Sequence, residues 1–235
     1  MECANRFALR SDDSPYREYC KDKGYINSYS SGINTESPYI NNNWDKLDAY
    51  YKWCACLYMF EQVRDVEKKM HVMDLGSGDG PICHIIADMG YNTVGVDIKP
   101  WSYPYKSLAE IIIRDAVECL SMHHDNEVDI FIDGCAVTHF NSNPDAEVPN
   151  QGWRSIFKEV HRVMKPTGYF IVTSDVRLEG TDHTGEFISP EQIIQMADAC
   201  GLALTSEFDY NRDEAIHRAE AGCDLAVANF LFVKK

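Results

Sequence analysis

Apolar positions along this chain recur with two spacings. Ile82, Ile85, Ile86 and Met89 fall at i, i+3, i+4 and i+7, which is one face of a helix over 81–89. Trp153, Ile156, Phe157, Val160, Val163 and Met164 define a second helical face over 151–164. Leu47, Tyr50, Tyr51, Cys54, Leu57, Tyr58 and Phe60 give a broad apolar face to a long helix over 44–68, closed by Lys68 and Lys69. Between these lie short apolar runs, at 72–75, 93–96, 110–113, 128–133, 169–173, 204–208 and 227–233, whose length and bounding turn residues read as strands. Pro81 and Gly90 bracket the first of these helices, and Ser189-Pro190 caps another that runs to Ala199 and stops at Gly201. A short helix is expected over 116–122 and a helical insert over 212–221. Strands alternating with helices predict a parallel α/β sheet.

The regions outside this rhythm are polar. Residues 1–43 are rich in Tyr, Ser and Asn and read as an arm, with a short helix over 15–23 and segments that pack on the body. The division expected is an arm and helical extension over 1–69 and one α/β domain over 70–235. Residues 99–107 hold two prolines and three aromatics, which disfavours a helix there. Residues 174–187 read as a polar loop long enough to act as a lid.

The chemistry concentrates where the first strand ends. Val72 to Gly80 reads V-M-D-L-G-S-G-D-G: a buried strand, an acid, then glycines leading into a helix. Glycines admit positive φ and let a ligand approach the backbone, and the free N–H groups of a helix start favour a negatively charged group. A nucleotide-like ligand fits that turn. A dinucleotide fold would require G-x-G-x-x-G; Gly76 and Gly78 match, but Pro81 stands where the third glycine belongs and Gly80 comes one residue early. Asp97 closes the second strand, where a carboxylate can accept two hydrogen bonds from ribose hydroxyls. Asp115 and Ala116 end the third strand, where a carboxylate and a backbone N–H can read the amino group and ring nitrogen of adenine, with Ile98 packed on its face.

Composition narrows the partners. The 235 residues carry a net charge of -15. Residues 1–70 hold 10 Lys and Arg against 11 Asp and Glu, whereas the remainder holds 12 against 26. An acidic body repels phosphate backbones, so non-specific nucleic-acid binding is not expected. No apolar run approaches the roughly 20 residues that span a bilayer, and a soluble, cytoplasmic protein is expected. The nine cysteines show no zinc spacing (Cys54 and Cys56 form C-x-C) and read as free, mostly buried thiols.

The segments D-L-G-S-G-D-G, G-V-D-I, R-D-A, V-D-I-F-I-D-G and F-K-E-V-H-R-V-M-K-P-T-G-Y-F-I-V-T, in this order, resemble the class I S-adenosylmethionine-dependent methyltransferases, in particular those that methylate small molecules. The resemblance covers roughly 70–235. It implies a Rossmann-like, seven-stranded, mostly parallel sheet of order 3-2-1-4-5-7-6 with helices on both faces. It also implies that Asp74, Gly76, Ser77 and Gly78 hold the methionine end of S-adenosyl-L-methionine, Asp97 and Ile98 its ribose and adenine, and Asp115 and Ala116 its adenine. Gly134 and Cys135 would lie beside the sulfonium. Two departures stand out: the proline-broken 99–107 connection, which leaves one side of the adenine pocket to be covered by other parts, and K-P-T-G in place of K-P-G-G.

Methyl transfer from a sulfonium needs alignment, and a base only if the acceptor carries a proton. His139, just past the fourth strand on the carboxyl edge of the sheet, is the candidate base. Asp133 and Asp175 end neighbouring strands, but Val176 follows Asp175 where metal-dependent catechol-type enzymes have Asn, so no metal is expected. His123-His124-Asp125 reads as a solvated turn, and Trp153 as core or pocket border. D-G-C-A after the fourth strand is not the D/N-P-P-Y/F of amino-directed DNA and glutamine methyltransferases. The expectation is methylation of an oxygen or nitrogen of a small-molecule acceptor. Methylation of a protein or peptide, a cofactor-binding scaffold without turnover and an NAD-dependent oxidoreductase are the alternatives.

Overall fold

The computed structural model describes residues 4–9, 43–78, 82–100, 109–137, 139, 151–181, 187–213, 215, 217–220 and 222–235. The expected helix at 15–23, most of the arm, Pro81, most of the 99–107 connection and the 182–186 segment lie outside them.

In chain order the elements are β1 (Arg6–Phe7), α1 (Asn43–Val63), β2 (His71–Leu75), α2 (Ile82–Asp88), β3 (Asn92–Asp97), β4 (Glu110–Ile113), α3 (Ala116–Ser121), β5 (Val128–Gly134), α4 (Gln151–Val163), β6 (Met164–Gly180), α5 (Pro190–Ala199), β7 (Leu202–Leu204), β8 (His217–Glu220) and β9 (Cys223–Lys234). They form one mixed sheet of order β1-β9-β6-β5-β2-β3-β4, with β7 and β8 also paired to β9. Strands β2 to β6 are parallel, whereas β9 runs antiparallel to β6, β1, β7 and β8. Each strand alternates between two apolar layers. Val72, Ile130, Ile132, Ile171 and Leu231 face α1 and α2, and Met73, Leu75, Phe131, Phe170 and Val172 face α3, α4 and α5. Trp153 is fully buried in the second layer, its ring centroid 5.5 Å from that of Phe157, so it is core and not a pocket border.

The mostly parallel sheet with helices on both faces is present, but its strand count and detailed order are not the seven-strand pattern. The difference lies at the outer edge of β9, which three short strands share end to end. β7 takes residues 232–234, β1 takes 228–229 and β8 takes 223–226. The expected helical insert at 212–221 is corrected: 217–220 is strand β8. Its alanines and charges suit a helix, but the tight connection through Gly222 (φ 86°) folds it back on β9, and pairing outweighs local propensity. Residues 174–180 are likewise no loop, because β6 continues through them against β9. The first part of the 174–187 lid is therefore sheet. α1 ends at Val63 and not at 68, because the Asp65 side chain accepts the Glu67 N–H (3.0 Å) and draws the chain into a turn. No helix among the described residues is long and apolar enough to cross a membrane.

The start of the chain is fastened to this edge. Asn5 accepts the Leu231 N–H (2.8 Å) and donates to Thr205 Oγ1 and Ser206 Oγ, both at 3.0 Å. Phe7, 1% exposed, sets its ring edge-on to Phe208. Asn5→Ala leaves the buried Leu231 N–H without its acceptor, which costs about 2 kcal/mol. A fall in Tm of several degrees in a thermal melt is the expected result.

Candidate active site

The carboxyl ends of β2, β3 and β5 converge on the glycine turn. Asp74, at the end of β2, is 2% exposed and accepts the Cys83 N–H at the start of α2. Burial, then the negative charge of Asp133, hold its carboxyl well above the ordinary range. Its Oδ2 has no hydrogen-bond partner among the described residues, and neither does the buried Ser77 Oγ three residues on. Gly76 and Gly78 take φ 66° and 54°, which bring the turn back over β3. There the Ser77 N–H donates to Val96 O (3.0 Å) and the Gly78 N–H to Asp97 Oδ2 (2.9 Å).

Gly95 makes that approach possible. A Cβ on it would lie 2.8 Å from Ile111 Cδ1 and 2.9 Å from Ser77 Oγ. Gly95→Ala must therefore displace Ser77 and the turn it belongs to. We expect a roughly ten-fold rise in the Kd for S-adenosylhomocysteine, about 1.4 kcal/mol, measured by calorimetry.

Asp97 carries two backbone bonds, from Gly78 N–H to Oδ2 and from Lys99 N–H to Oδ1, both 2.9 Å. A carboxylate has about four acceptor positions, so each oxygen retains one for a ligand hydroxyl. Ile98 is 67% exposed, and Ile113, paired in register with Asp97, is 47% exposed. Two exposed apolar residues thus adjoin Asp97, one next to it in sequence and one opposite it on β4. Sequence reading found Ile98 but missed Ile113, because its run 110–113 looked like uniform strand interior. Asp115 has a second occupation: it is the N-cap of α3, its Oδ1 accepting the Glu118 N–H (3.0 Å). Ala116, buried, opens that helix, where N–H groups lack intrahelical acceptors.

Around the end of β5 the side chains divide between the two faces. Asp133 is fully buried and caps the segment that follows, accepting Ala136 N–H (2.8 Å) and Val137 N–H (3.2 Å). Burial raises its carboxyl to about 7, against the pull of those N–H groups. Gly134 faces α1 and α2, and a Cβ there would touch Ile82 Cδ1 at 3.0 Å and Trp53 Cδ1 at 3.7 Å. Cys135 holds φ 81°, uncommon for a residue with a side chain, and its Sγ lies 3.4 Å from Asp175 Oδ2. The same Oδ2 accepts from Lys52 Nζ at 2.7 Å. Asp133 and Asp175 therefore face opposite sides of the sheet, and no metal-binding cluster occurs among the described residues. His139 is exposed on the short turn beyond, its N–H donating to Ala136 O (2.8 Å).

Sequence reasoning overlooked Lys52 and Trp53, which α1 carries to this edge. The available signal was a lysine one turn before Cys56 on an otherwise apolar stripe. His123 lies far away at the amino edge, beside Glu127 (3.1 Å).

Residues 73–172, from within β2 to within β6, match the family model described as a methyltransferase domain. No curated protein matches the chain. Among solved structures it is similar to a TehB-like S-adenosylmethionine-dependent methyltransferase of Corynebacterium glutamicum, with TM-score 0.51 and 16% identity over 94% of this chain and 100% of that one. It is also similar to a 1,6-didemethyltoxoflavin-N1-methyltransferase of Burkholderia thailandensis, solved with 1,6-didemethyltoxoflavin and S-adenosylhomocysteine, with TM-score 0.54 and 13% identity over 94% and 91%. A protein of Pyrococcus horikoshii reaches TM-score 0.57 at 17% identity over 86% and 97%. At such identities the likeness to these structures is one of fold, and the family model adds that residues 73–172 are similar to a methyltransferase domain.

Proposed function

We propose that the chain transfers a methyl group from S-adenosyl-L-methionine to an oxygen or nitrogen of a small-molecule acceptor. The observation that carries this reading is the pair of buried oxygens left without partners at the glycine turn, Asp74 Oδ2 and Ser77 Oγ. A ligand ammonium group satisfies such acceptors, and a second phosphate does not. Asp97 retains acceptor positions for the two ribose hydroxyls, Ile98 and Ile113 cover the adenine, and Asp115 with the Ala116 N–H reads its edge. When bound, the cofactor supplies an electrophilic methyl on a sulfonium. Gly134, bare of a side chain, and Cys135 line the place where the acceptor meets it. His139 takes the acceptor's proton where there is one to lose, from a position open to solvent. Residues 1–69 serve as an extension of the 70–235 domain, α1 closing one side of the site.

The small molecule in the Burkholderia enzyme supports an acceptor of that size. Methylation of a basic protein or peptide is the second reading, favoured by the net charge of -15. Radiolabelled methyl transfer separates the two, with a protein-free metabolite extract in one arm and extract proteins in the other. Label in the metabolite arm is the expected result. Label confined to protein would replace the first reading by the second, and His139→Ala with full turnover would remove the proposed base.

A further inference from the structure

Helix α1 runs antiparallel to β6 across the sheet, and two of its residues meet β6 in step. Cys56 Sγ lies 3.4 Å from Thr173 Oγ1, and Lys52, one turn earlier, places Nζ 2.7 Å from Asp175 Oδ2. Four helical residues rise about 6 Å and two strand residues about 6.6 Å, so the rows match without distortion. The second contact is an ion pair with both side chains less than a tenth exposed, at 7% and 8%. Burying two charges costs several kcal/mol of solvation, which their attraction does not always restore, and an apolar pair of the same size often serves stability as well. The stability of the fold therefore does not by itself explain the pair.

Its position suggests what does. In the register of β5 with β6, Gly134 stands opposite Thr173, so Asp175 projects beyond the end of β5, over the segment that follows Gly134. Asp175 Oδ2 accepts there from the Cys135 thiol as well as from Lys52. Cys135 keeps a side chain at φ 81°, where glycine would relieve the backbone. Its thiol is held there by Asp175, at 3.4 Å. On the same face of the sheet, Asp74 presents its buried, unpartnered Oδ2.

We propose that Lys52 is a positioning residue for methyl transfer: through Asp175 and the Cys135 thiol it fixes the peptide after β5 against which the acceptor is held. The helix preceding the methyltransferase domain is then part of the active site and not only a cover for the sheet. The inference rests on the methyltransferase reading above.

The test compares Lys52→Met/Asp175→Leu, which removes both buried charges together, with Lys52→Arg, Cys135→Gly and Cys135→Ser. Each full-length variant is titrated with S-adenosylhomocysteine, melted, and assayed for the initial rate of label transfer from S-adenosylmethionine to the protein-free extract. The double variant is expected to bind S-adenosylhomocysteine with unchanged Kd while its transfer rate falls at least about ten-fold, equivalent to about 1.4 kcal/mol in the barrier. Cys135→Gly is expected to melt at or above the wild-type temperature, because it relieves the left-handed backbone, and still to lose rate. Cys135→Ser and Lys52→Arg restore a donor and are expected to recover most of the rate. A structural role alone would not separate melting from turnover in this way. If the double variant does not fold, the comparison of Cys135→Gly with Cys135→Ser decides. Wild-type rates in a folded double variant, or in Cys135→Gly, overturn the proposal. A wild-type protein that neither binds S-adenosylhomocysteine nor transfers label instead overturns the methyltransferase reading beneath it.

Discussion

Asp97→Ala is expected to weaken binding of S-adenosylhomocysteine by about 100-fold or more, since hydrogen bonds to a charged acceptor contribute about 1.5–3 kcal/mol each and the two ribose bonds proposed for Asp97 disappear together. The loss is compounded locally. Asp97 also accepts the N–H of Gly78 and that of Lys99, so alanine releases the glycine turn as well as the ribose. Asp97→Asn keeps one uncharged oxygen and is expected to lie between alanine and wild type. Calorimetry with each variant reads the order directly. A Kd for Asp97→Ala within three-fold of wild type would mean that the carboxylate serves only the turn.

The second large effect concerns pH. Burial lifts the folded-state value of Asp133 to about 7, from 3.8 in the unfolded chain. Between those values the folded protein holds a proton that the unfolded chain has released. Stability from this group is thus fully present below about pH 4, falls as pH rises toward 7 and is lost above it, by about 4 kcal/mol in all. Asp74, raised by the same cause, acts in the same direction. Asp133→Asn keeps an acceptor for the Ala136 and Val137 N–H groups but carries no charge at any pH. Urea titrations from pH 4.5 to 8 are expected to show the wild type losing stability across that range and the variant losing much less, with the variant the more stable at pH 8. Parallel slopes would show that Asp133 keeps its charge in the fold.

Much of this molecule can be read from local pattern. The faces of α2 and α4 follow from helical spacing, and the acids at 74, 97 and 115 follow from where apolar runs stop. What sequence spacing does not reveal is which side chains already have an occupation. Asp115 reads as a ligand carboxylate, yet its Oδ1 caps α3. Asp175 reads as the end of a strand, yet β6 runs on past it because β9 lies alongside. The 217–220 segment has helix-forming residues, and only its partner across the hairpin makes it a strand. Lys52 is the clearest instance. Its neighbours mark an apolar helix face, but the carboxylate that accepts its charge lies 123 positions further along the chain. The places of Asp175 and Lys52 depend on long-range pairing, which no window of neighbouring residues contains.

The central claim is that the glycine turn grips the amino-acid end of S-adenosylmethionine, and calorimetry on the intact chain tests it most directly. Titrations with S-adenosylmethionine, S-adenosylhomocysteine and NAD are expected to give saturable heat for the two methionine-derived ligands, abolished or strongly weakened by Asp97→Ala, and none for NAD. Heat for NAD alone, or for none of the three, would contradict the account.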